Sequence, residues 1–174
     1  LADLGVNPVG IETYANSRRL EKSLRLQNAD LEIDYNLYEA GLARPKVKAN
    51  DFHGKEAYVA QRALPEQAAY LCTLVLEDTT DDAGTVRYPV GQWPLLDADT
   101  LEVVIDAHGR RSYTTSVAYG PSLGQNIAMG YLPAARAKEG DAVVMEYFGN
   151  FFPARIVAVG YGALLDPDNE RVKS

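Results

Sequence analysis

The side chains in this sequence that could support chemistry are one serine motif, one cysteine, two histidines and a short basic run. The segment GPSLG at 120–124 fits the G-x-S-x-G pattern of serine hydrolases, with Ser122 as the nucleophile. That chemistry needs a histidine later in the chain, and none follows position 108 in this sequence. We therefore interpret the segment as a turn between two strands, in which Pro121 and the glycines supply the backbone angles.

The cysteine and the histidines do not form a predicted nucleophilic or metal site. Cys72 lies in the apolar run YLCTLVL, which is typical of a core thiol, whereas a nucleophilic thiol needs polar, electropositive surroundings. His53 and His108 each precede a glycine in a turn-like segment and have no third ligand at a useful spacing. We therefore expect no metal site.

The basic run RPKVK at 44–48 lies in an acidic chain with a formal net charge of -7 and a sequence pI near 4.8. A protein that neutralises nucleic-acid phosphates needs a clustered excess of Lys and Arg, so we expect no nucleic-acid partner. Two interpretations of the run stay open, namely a solvated face and a site that meets a carboxylate.

The composition is that of an ordinary globular protein, with 174 residues, 47% hydrophobic and 24% charged. This length predicts one domain, or one domain and part of a second. No apolar run approaches the roughly 20 residues that span a bilayer, and no signal-peptide pattern is present, so we expect a cytoplasmic protein without a membrane partner. Because the first residue is Leu, we expect a piece of a longer polypeptide.

The hydrophobic pattern changes period near residue 69. Before residue 69, the spacing of apolar residues predicts a helix from Val9 to about Arg25. A second helix is predicted to begin at Asp51, whose carboxylate would cap it, and to end at 64–65. After residue 69, short runs rich in β-branched and aromatic residues alternate with Gly, Pro and Asp turns. These runs are YLCTLVLED, TLEVVID, RRSYTTSVAYG, QNIAMGYL, AVVMEYFG and FFPARIVAV. They predict a small antiparallel barrel or sandwich.

Six sequence segments, taken in their order along the chain, are similar to those of a known family. They are NSRRLEK, YEAGL, DFHGKEA, RRSYTTSVAYGPSLGQNIAMGYLP, GNFFPARIV and DPDNERVKS. In this order they resemble the C-terminal part of the glycine-cleavage T-protein family of tetrahydrofolate-dependent one-carbon transferases. NSRRLEK, FFPARI and DPDNER are most similar to the folate-binding halves of dimethylglycine and sarcosine dehydrogenases, and IDYNLYEAG is similar to the aryl O-demethylases.

The resemblance implies an α+β fold within a three-domain protein that holds folate in a central channel. Residues 1–67 would be the end of an α/β folate-binding domain, and residues 68–174 would be a small antiparallel Greek-key-like β-barrel. The catalytic aspartate and the pterin-holding glutamate of the family are expected upstream of Leu1. No catalytic residue is therefore named in this chain, and we expect the piece alone to be inactive.

Three residues are implied to contact tetrahydrofolate. Tyr14 would stack on the pterin or donate a hydrogen bond to it, the alternative being a tyrosine on the packing face of its helix. Arg44 stands where T-proteins carry a tryptophan, so a cation would replace aromatic stacking. Arg171 would grip the folate tail through a bidentate guanidinium–carboxylate contact, the alternative being a surface arginine. Glu21 and Glu39 are interpreted as structural carboxylates.

Three functions remain open at this point. The first is a folate-dependent transferase or demethylase, which would align a small methylated or aminomethylated substrate with N5 of tetrahydrofolate. The second is the folate-binding module of a flavin-dependent dimethylglycine or sarcosine dehydrogenase, with the flavin held by upstream polypeptide, since no G-x-G-x-x-G fingerprint occurs here. The third is a non-enzymatic barrel that serves as a binding module.

Overall fold

The computed structural model of the chain describes residues 2–173. Its helical elements are a 3-10 turn Ala2–Leu4, a π-helical segment Thr13–Arg18, and the α-helices α1 (Arg19–Glu21), α2 (Lys55–Arg62) and α3 (Glu170–Lys173). The first predicted helix is confirmed in shorter form, because the chain leaves the helix after Glu21 and Ser23 adopts a left-handed φ of 54°. Such a backbone angle cannot continue a right-handed helix.

The second predicted helix is also confirmed, but its predicted cap is wrong. Helix α2 begins at Lys55, directly after Gly54, whose φ of 82° excludes it from the helix. The carboxylate of Asp51 instead accepts a hydrogen bond from the adjacent backbone N–H of Phe52 (3.0 Å). The helix ends at Arg62, just before the predicted stop.

Six strands form one antiparallel sheet. They are β1 (Ala69–Leu76), β2 (Leu95–Asp97), β3 (Thr114–Gly120), β4 (Gln125–Pro133), β5 (Ala142–Tyr147) and β6 (Asn150–Val159). Five of the predicted runs are confirmed as strands. The run TLEVVID is not one, because Leu101 has a left-handed φ of 58° and the residues after it fold back on β2 through an isolated bridge between Val103 and Leu96.

The sheet closes on itself in Greek-key order. The strands follow one another as β2-β5-β6-β1-β4-β3, so β1 pairs with both β4 and β6. The two edges then meet just before β2 and β3, where Pro94 bridges Tyr113 and the backbone N–H of Leu95 donates to the carbonyl of Ser112 (3.0 Å). The predicted α+β class with a small antiparallel Greek-key-like barrel is confirmed.

Alternate residues of the strands divide the core into two clusters. The interior cluster draws on all six strands and centres on Leu74, Met145 and Phe152. On the outer face of β1 and β4, the buried Leu20 and Ala40 join a second cluster formed with strand residues. The N-terminal segment therefore packs directly against the outside of the barrel.

The N-terminal segment contributes no strand to the sheet before Ala69 in the part of the chain that the structure describes. The described residues before Ala69 thus do not form an α/β domain by themselves. Their assignment as the end of such a domain, with a boundary between 1–67 and 68–174, stays a prediction. Within residues 2–173, no helix is long and apolar enough to cross a membrane.

Candidate functional site

Helix α2 holds the basic run in place through three side chains. The hydroxyl of Tyr58 accepts a hydrogen bond from the backbone N–H of Arg44 (2.9 Å), and Arg62 donates to the carbonyl of Pro45 (2.6 Å). The ammonium group of Lys55 donates to the carbonyl of Ala49 (2.8 Å). One turn-rich segment is thus fixed to one helix by side-chain contacts to its backbone, which leaves its own side chains free to face outward.

These contacts shape a cavity of about 340 Å³, which we call the basic hollow. Its lining consists of Leu37, Leu42, Arg44, Lys46, Val47, Lys48, Phe52 and Tyr58. Three of these side chains are cationic and none is acidic, although the chain as a whole is acidic. Among residues 2–173, none of the three cations forms an ion pair within 4.0 Å.

The floor of the basic hollow is apolar and aromatic. The rings of Phe52 and Tyr58 meet edge-to-face with centroids 6.3 Å apart, and Tyr38 packs behind Tyr58 at 5.1 Å. A volume of this size falls in the range of small-molecule pockets, which combine an apolar lining with a few polar groups. The arrangement suits an organic anion, whose carbon body would contact the rings and whose charge would meet the cations.

The structure places Tyr14 on the π-helical segment with 75% of its surface exposed. It is therefore not packed into the core, unlike Leu20 farther along the same helical segment, which is fully buried. The fold therefore does not support the alternative in which Tyr14 lies on the packing face of its helix. Its exposed phenol is available to a ligand or to another part of a larger protein.

Arg171 lies in α3, close to the other end of that helical segment. Lys22 donates to the carbonyl of Asp166 (2.6 Å) and to the side-chain carbonyl of Asn169 (2.9 Å), which anchors the C-terminal segment. The helical segment thus presents Tyr14 near its start and positions the segment that carries Arg171 at its end.

The three predicted folate contacts are not all part of the basic hollow. The basic hollow contains Arg44 but neither Tyr14 nor Arg171. The sequence leaves two interpretations of RPKVK open, a solvated face and a carboxylate site, and it does not single out Lys46 and Lys48. Their positions two and four residues after Arg44 are the available signal, but only the fold shows that all three line the same hollow.

Glu21 and Glu39 have the structural roles predicted for them. The fully buried Glu21 carboxylate accepts hydrogen bonds from Arg18 (3.2 Å) and from the backbone N–H of Ser122 (2.7 Å), which fixes the GPSLG segment as a turn between β3 and β4. Glu39 accepts from the backbone N–H of Asn36 (2.9 Å) and pairs with Arg110 (2.5 Å). Both carboxylates tie loops to the barrel.

A buried ion pair also joins the N-terminal segment to β3. Asp30 is fully buried and accepts hydrogen bonds from Arg19 (2.6 Å), from the backbone N–H of Leu26 (2.9 Å) and from two hydroxyl groups, those of Thr115 (2.5 Å) and Ser116 (2.7 Å). Arg19 donates in addition to Ser116 (2.6 Å). These bonds hold the helical segment that carries Tyr14 against the barrel.

This fold defines a class, the small Greek-key barrel with an N-terminal segment packed on its outer face. Residues 95–159 match the family described as glycine cleavage T-protein C-terminal barrel domain. The crystal structure of glycine cleavage system aminomethyltransferase T from Bartonella henselae has a similar fold, with a TM-score of 0.66 at 23% sequence identity. That likeness covers 86% of this chain and 38% of the other.

Curated relatives of two kinds are similar to the chain. An aminomethyltransferase of Prochlorococcus marinus (strain NATL1A) is 31% identical over 157 residues, which cover 88% of this chain and 37% of the relative. The mitochondrial dimethylglycine dehydrogenase of Rattus norvegicus is 30% identical over 149 residues, which cover 83% of this chain and 15% of the relative. The chain is therefore similar to the C-terminal part of glycine cleavage T-protein family members, and it spans well under half the length of these relatives.

Proposed function

We propose that this chain is the C-terminal part of a tetrahydrofolate-dependent one-carbon transferase that acts on a small methylated or aminomethylated substrate in the cytoplasm. The match to aminomethyltransferases over 88% of the chain supports the class of reaction. The observation that carries the proposal is the basic hollow, where three cations that form no ion pair with the described residues lie beside aromatic and aliphatic side chains. A carboxylate attached to an aromatic body would satisfy both features.

The residues of this chain would bind and orient the cofactor rather than react. Arg44 would hold a folate carboxylate, because a planar guanidinium can donate two parallel hydrogen bonds to it. Phe52 and Tyr58 would contact the apolar part of the molecule. Tyr14 and Arg171 would contact it from the helical segment and the C-terminal segment. When bound, tetrahydrofolate supplies the N5 atom that accepts the one-carbon unit.

Titration of the full-length protein with tetrahydrofolate by calorimetry tests the proposal. Arg44→Gln should weaken binding by about ten- to a hundredfold, as expected for the loss of one charge-assisted hydrogen-bonded contact. Lys138→Gln, at an exposed lysine outside the hollow, is the matched control and should leave the affinity unchanged. No heat of binding in the unmodified protein would refute a folate function and favour a non-enzymatic binding module.

A second candidate is the folate-binding module of a flavin-dependent dehydrogenase. The observation that favours it is the 30% identity to a dimethylglycine dehydrogenase over 83% of this chain. The flavin absorbance of the purified full-length protein distinguishes the two candidates. Bound flavin and oxidation of an N-methylated amino acid would support the dehydrogenase, whereas a colourless protein that transfers a one-carbon unit would support the transferase.

A further inference from the structure

We infer that an aromatic cavity at the tip of the β5–β6 hairpin binds an extended segment of a partner protein that is rich in proline and carries basic side chains. The cavity, which we call the hairpin hollow, has a volume of about 530 Å³. Its lining consists of Val86, Arg87, Tyr88, Tyr147, Phe148 and Asn150. None of these residues lines the basic hollow, so the inference does not depend on folate binding.

The hairpin hollow presents large apolar side chains to solvent on a fixed base. Phe148 is 73% exposed, Tyr88 is 69% exposed and Val86 is 56% exposed. The ring of Phe148 lies 4.5 Å from that of Trp93, centroid to centroid, and Trp93 and Tyr147 pack against the interior cluster. Aromatic side chains that are held in place on one side and exposed on the other are typical of protein interaction surfaces.

The backbone at the hairpin tip also singles out Phe148. The two-residue loop between β5 and β6 has a φ of 51° at Phe148 and 79° at Gly149. Hairpin loops with two positive φ angles favour Asn, Asp or Gly at both positions, and this region is unfavourable for a bulky side chain. Phenylalanine at position 148 is therefore explained better by what its exposed ring contacts than by the needs of the turn.

The charges around the hairpin hollow favour a basic partner. Arg87 lines the hollow, but Asp81 compensates its charge at 2.5 Å. Two further carboxylates lie beside the hollow: Asp82 donates its backbone N–H to the side-chain carbonyl of Asn150 (3.4 Å), and Glu146 accepts a hydrogen bond from the hairpin loop (2.6 Å). Within residues 2–173, neither Asp82 nor Glu146 forms an ion pair. Their charges would attract lysine or arginine side chains of the partner.

The surroundings of the hairpin favour a polyproline II segment over an added strand. Strand β5 lies between β2 and β6, and β6 lies between β5 and β1, so both strands of the hairpin are already paired on either side. The carbonyl groups of a polyproline II segment are unpaired and can accept hydrogen bonds from the hydroxyl groups of Tyr88 and Tyr147. Its proline rings pack on aromatic rings, and it loses little conformational freedom on binding.

Fluorescence anisotropy of labelled nonapeptides, titrated with the full-length protein, tests the inference. The probe has the sequence Pro-Pro-Arg repeated three times, and the controls repeat Pro-Pro-Glu and Gly-Gly-Arg. The Pro-Pro-Arg peptide should bind about tenfold more tightly than either control, because only it combines a preformed backbone with positive charge. Absence of binding would overturn the inference, and equal binding of the Gly-Gly-Arg peptide would overturn the assignment to proline.

The variant Phe148→Asn separates binding from folding. Asn tolerates a positive φ better than Phe, so the urea midpoint should not fall, whereas the affinity for the Pro-Pro-Arg peptide should fall about tenfold. Phe151→Thr is the matched control, since Phe151 is an exposed phenylalanine of the same hairpin that does not line the hollow. It should leave the affinity unchanged. Asp82→Asn should weaken binding about two- to fivefold. Unchanged affinity in Phe148→Asn would overturn the inference.

Two measurements on the full-length protein address other occupants of the hairpin hollow. In sedimentation, the unmodified protein and Phe148→Asn should have the same mass, and neither should float with phosphatidylcholine vesicles. A larger mass that Phe148→Asn abolishes would assign the hollow to a second copy, and vesicle binding that Phe148→Asn abolishes would assign it to lipid; either result would overturn the inference. Phe148→Asn should not change the affinity for tetrahydrofolate, so failure here leaves the proposed function intact.

Discussion

Removal of the Asp30 carboxylate should destabilise the protein more than most single substitutions. Asp30 is 0% exposed and Arg19 is 8% exposed, so the pair is shielded from water. The substitution Asp30→Ala would leave the Arg19 guanidinium buried without its counter-ion. It would also remove the carboxylate acceptor of the Ser116 hydroxyl and of one backbone N–H, and one of the two acceptors of the Thr115 hydroxyl, which keeps the carbonyl of Met129 (3.2 Å).

The expected loss of unfolding free energy is about 3–5 kcal/mol, the range for breaking a buried pair by removing one partner. Each further donor left without an acceptor would add about 1–3 kcal/mol where water cannot reach it. The minimum expected loss is therefore about 3 kcal/mol. For a chain of this size, each kcal/mol lowers the melting temperature by about 2–4 °C. The melting temperature should therefore fall by roughly 10 °C.

A double-mutant cycle with Arg19→Met, Asp30→Ala and the double variant isolates the pair. Urea unfolding gives the free energy of each variant, provided that the slope with urea is the same in all of them. The double variant should be more stable than the sum of the single effects predicts, by about 1–3 kcal/mol. A loss below 1 kcal/mol in Asp30→Ala, or strictly additive effects, would show that the network does not hold the segment to the barrel.

Three further outcomes are expected. Burial raises the pKa of Cys72 to about 12, so a thiol reagent at pH 8 should label it only in urea, and rapid labelling of the folded chain would contradict its core position. Burial alone would raise the pKa of Asp106, but hydrogen bonds from Arg110 and His108 outweigh it and lower the pKa below 3.8. The stabilisation by the Asp106 carboxylate should thus be complete above pH 3.8 and be lost as the pH falls through the folded-state pKa. The urea midpoint of the protein should show this pH dependence, and the variant Asp106→Asn should show less of it. In urea unfolding, Gly41→Ala should destabilise the protein more than Gly54→Ala. Both glycines have a positive φ, but only a Cβ at Gly41 would clash, since it would lie 2.7 Å from the Cα atom of Gly160. Equal losses in the two variants would exclude the clash.

Local patterns were sufficient to predict most of the barrel. Five of the six alternating runs are strands, because each has apolar residues that must face one core and turn residues at both ends. The exception, TLEVVID, has the right composition for a strand. It is folded back by the left-handed backbone at Leu101, which no residue type in the run signals.

The candidate site was only partly predictable. The family resemblance predicts Arg44 as a folate contact, and the structure places it in a cavity with Lys46 and Lys48. Tyr14 and Arg171, predicted from the same resemblance, do not line this cavity. Their contact with folate stays a prediction. The two hydroxyl groups that bind Asp30 belong to Thr115 and Ser116, more than 80 residues away in β3, and no local pattern links them to Asp30.

The sequence by itself determined the alternation of strands and turns, the core position of Cys72 and the resemblance to a family, because these depend on residue types within short windows. Only the tertiary structure decided how the sheet closes, which loops Glu21 and Glu39 fix, and that three cations share one apolar hollow. The physical reason is distance along the chain. Helix α2 must pack beside residues 37–48 before Tyr58 and Phe52 can give the basic run its floor, and such contacts form only when the chain folds.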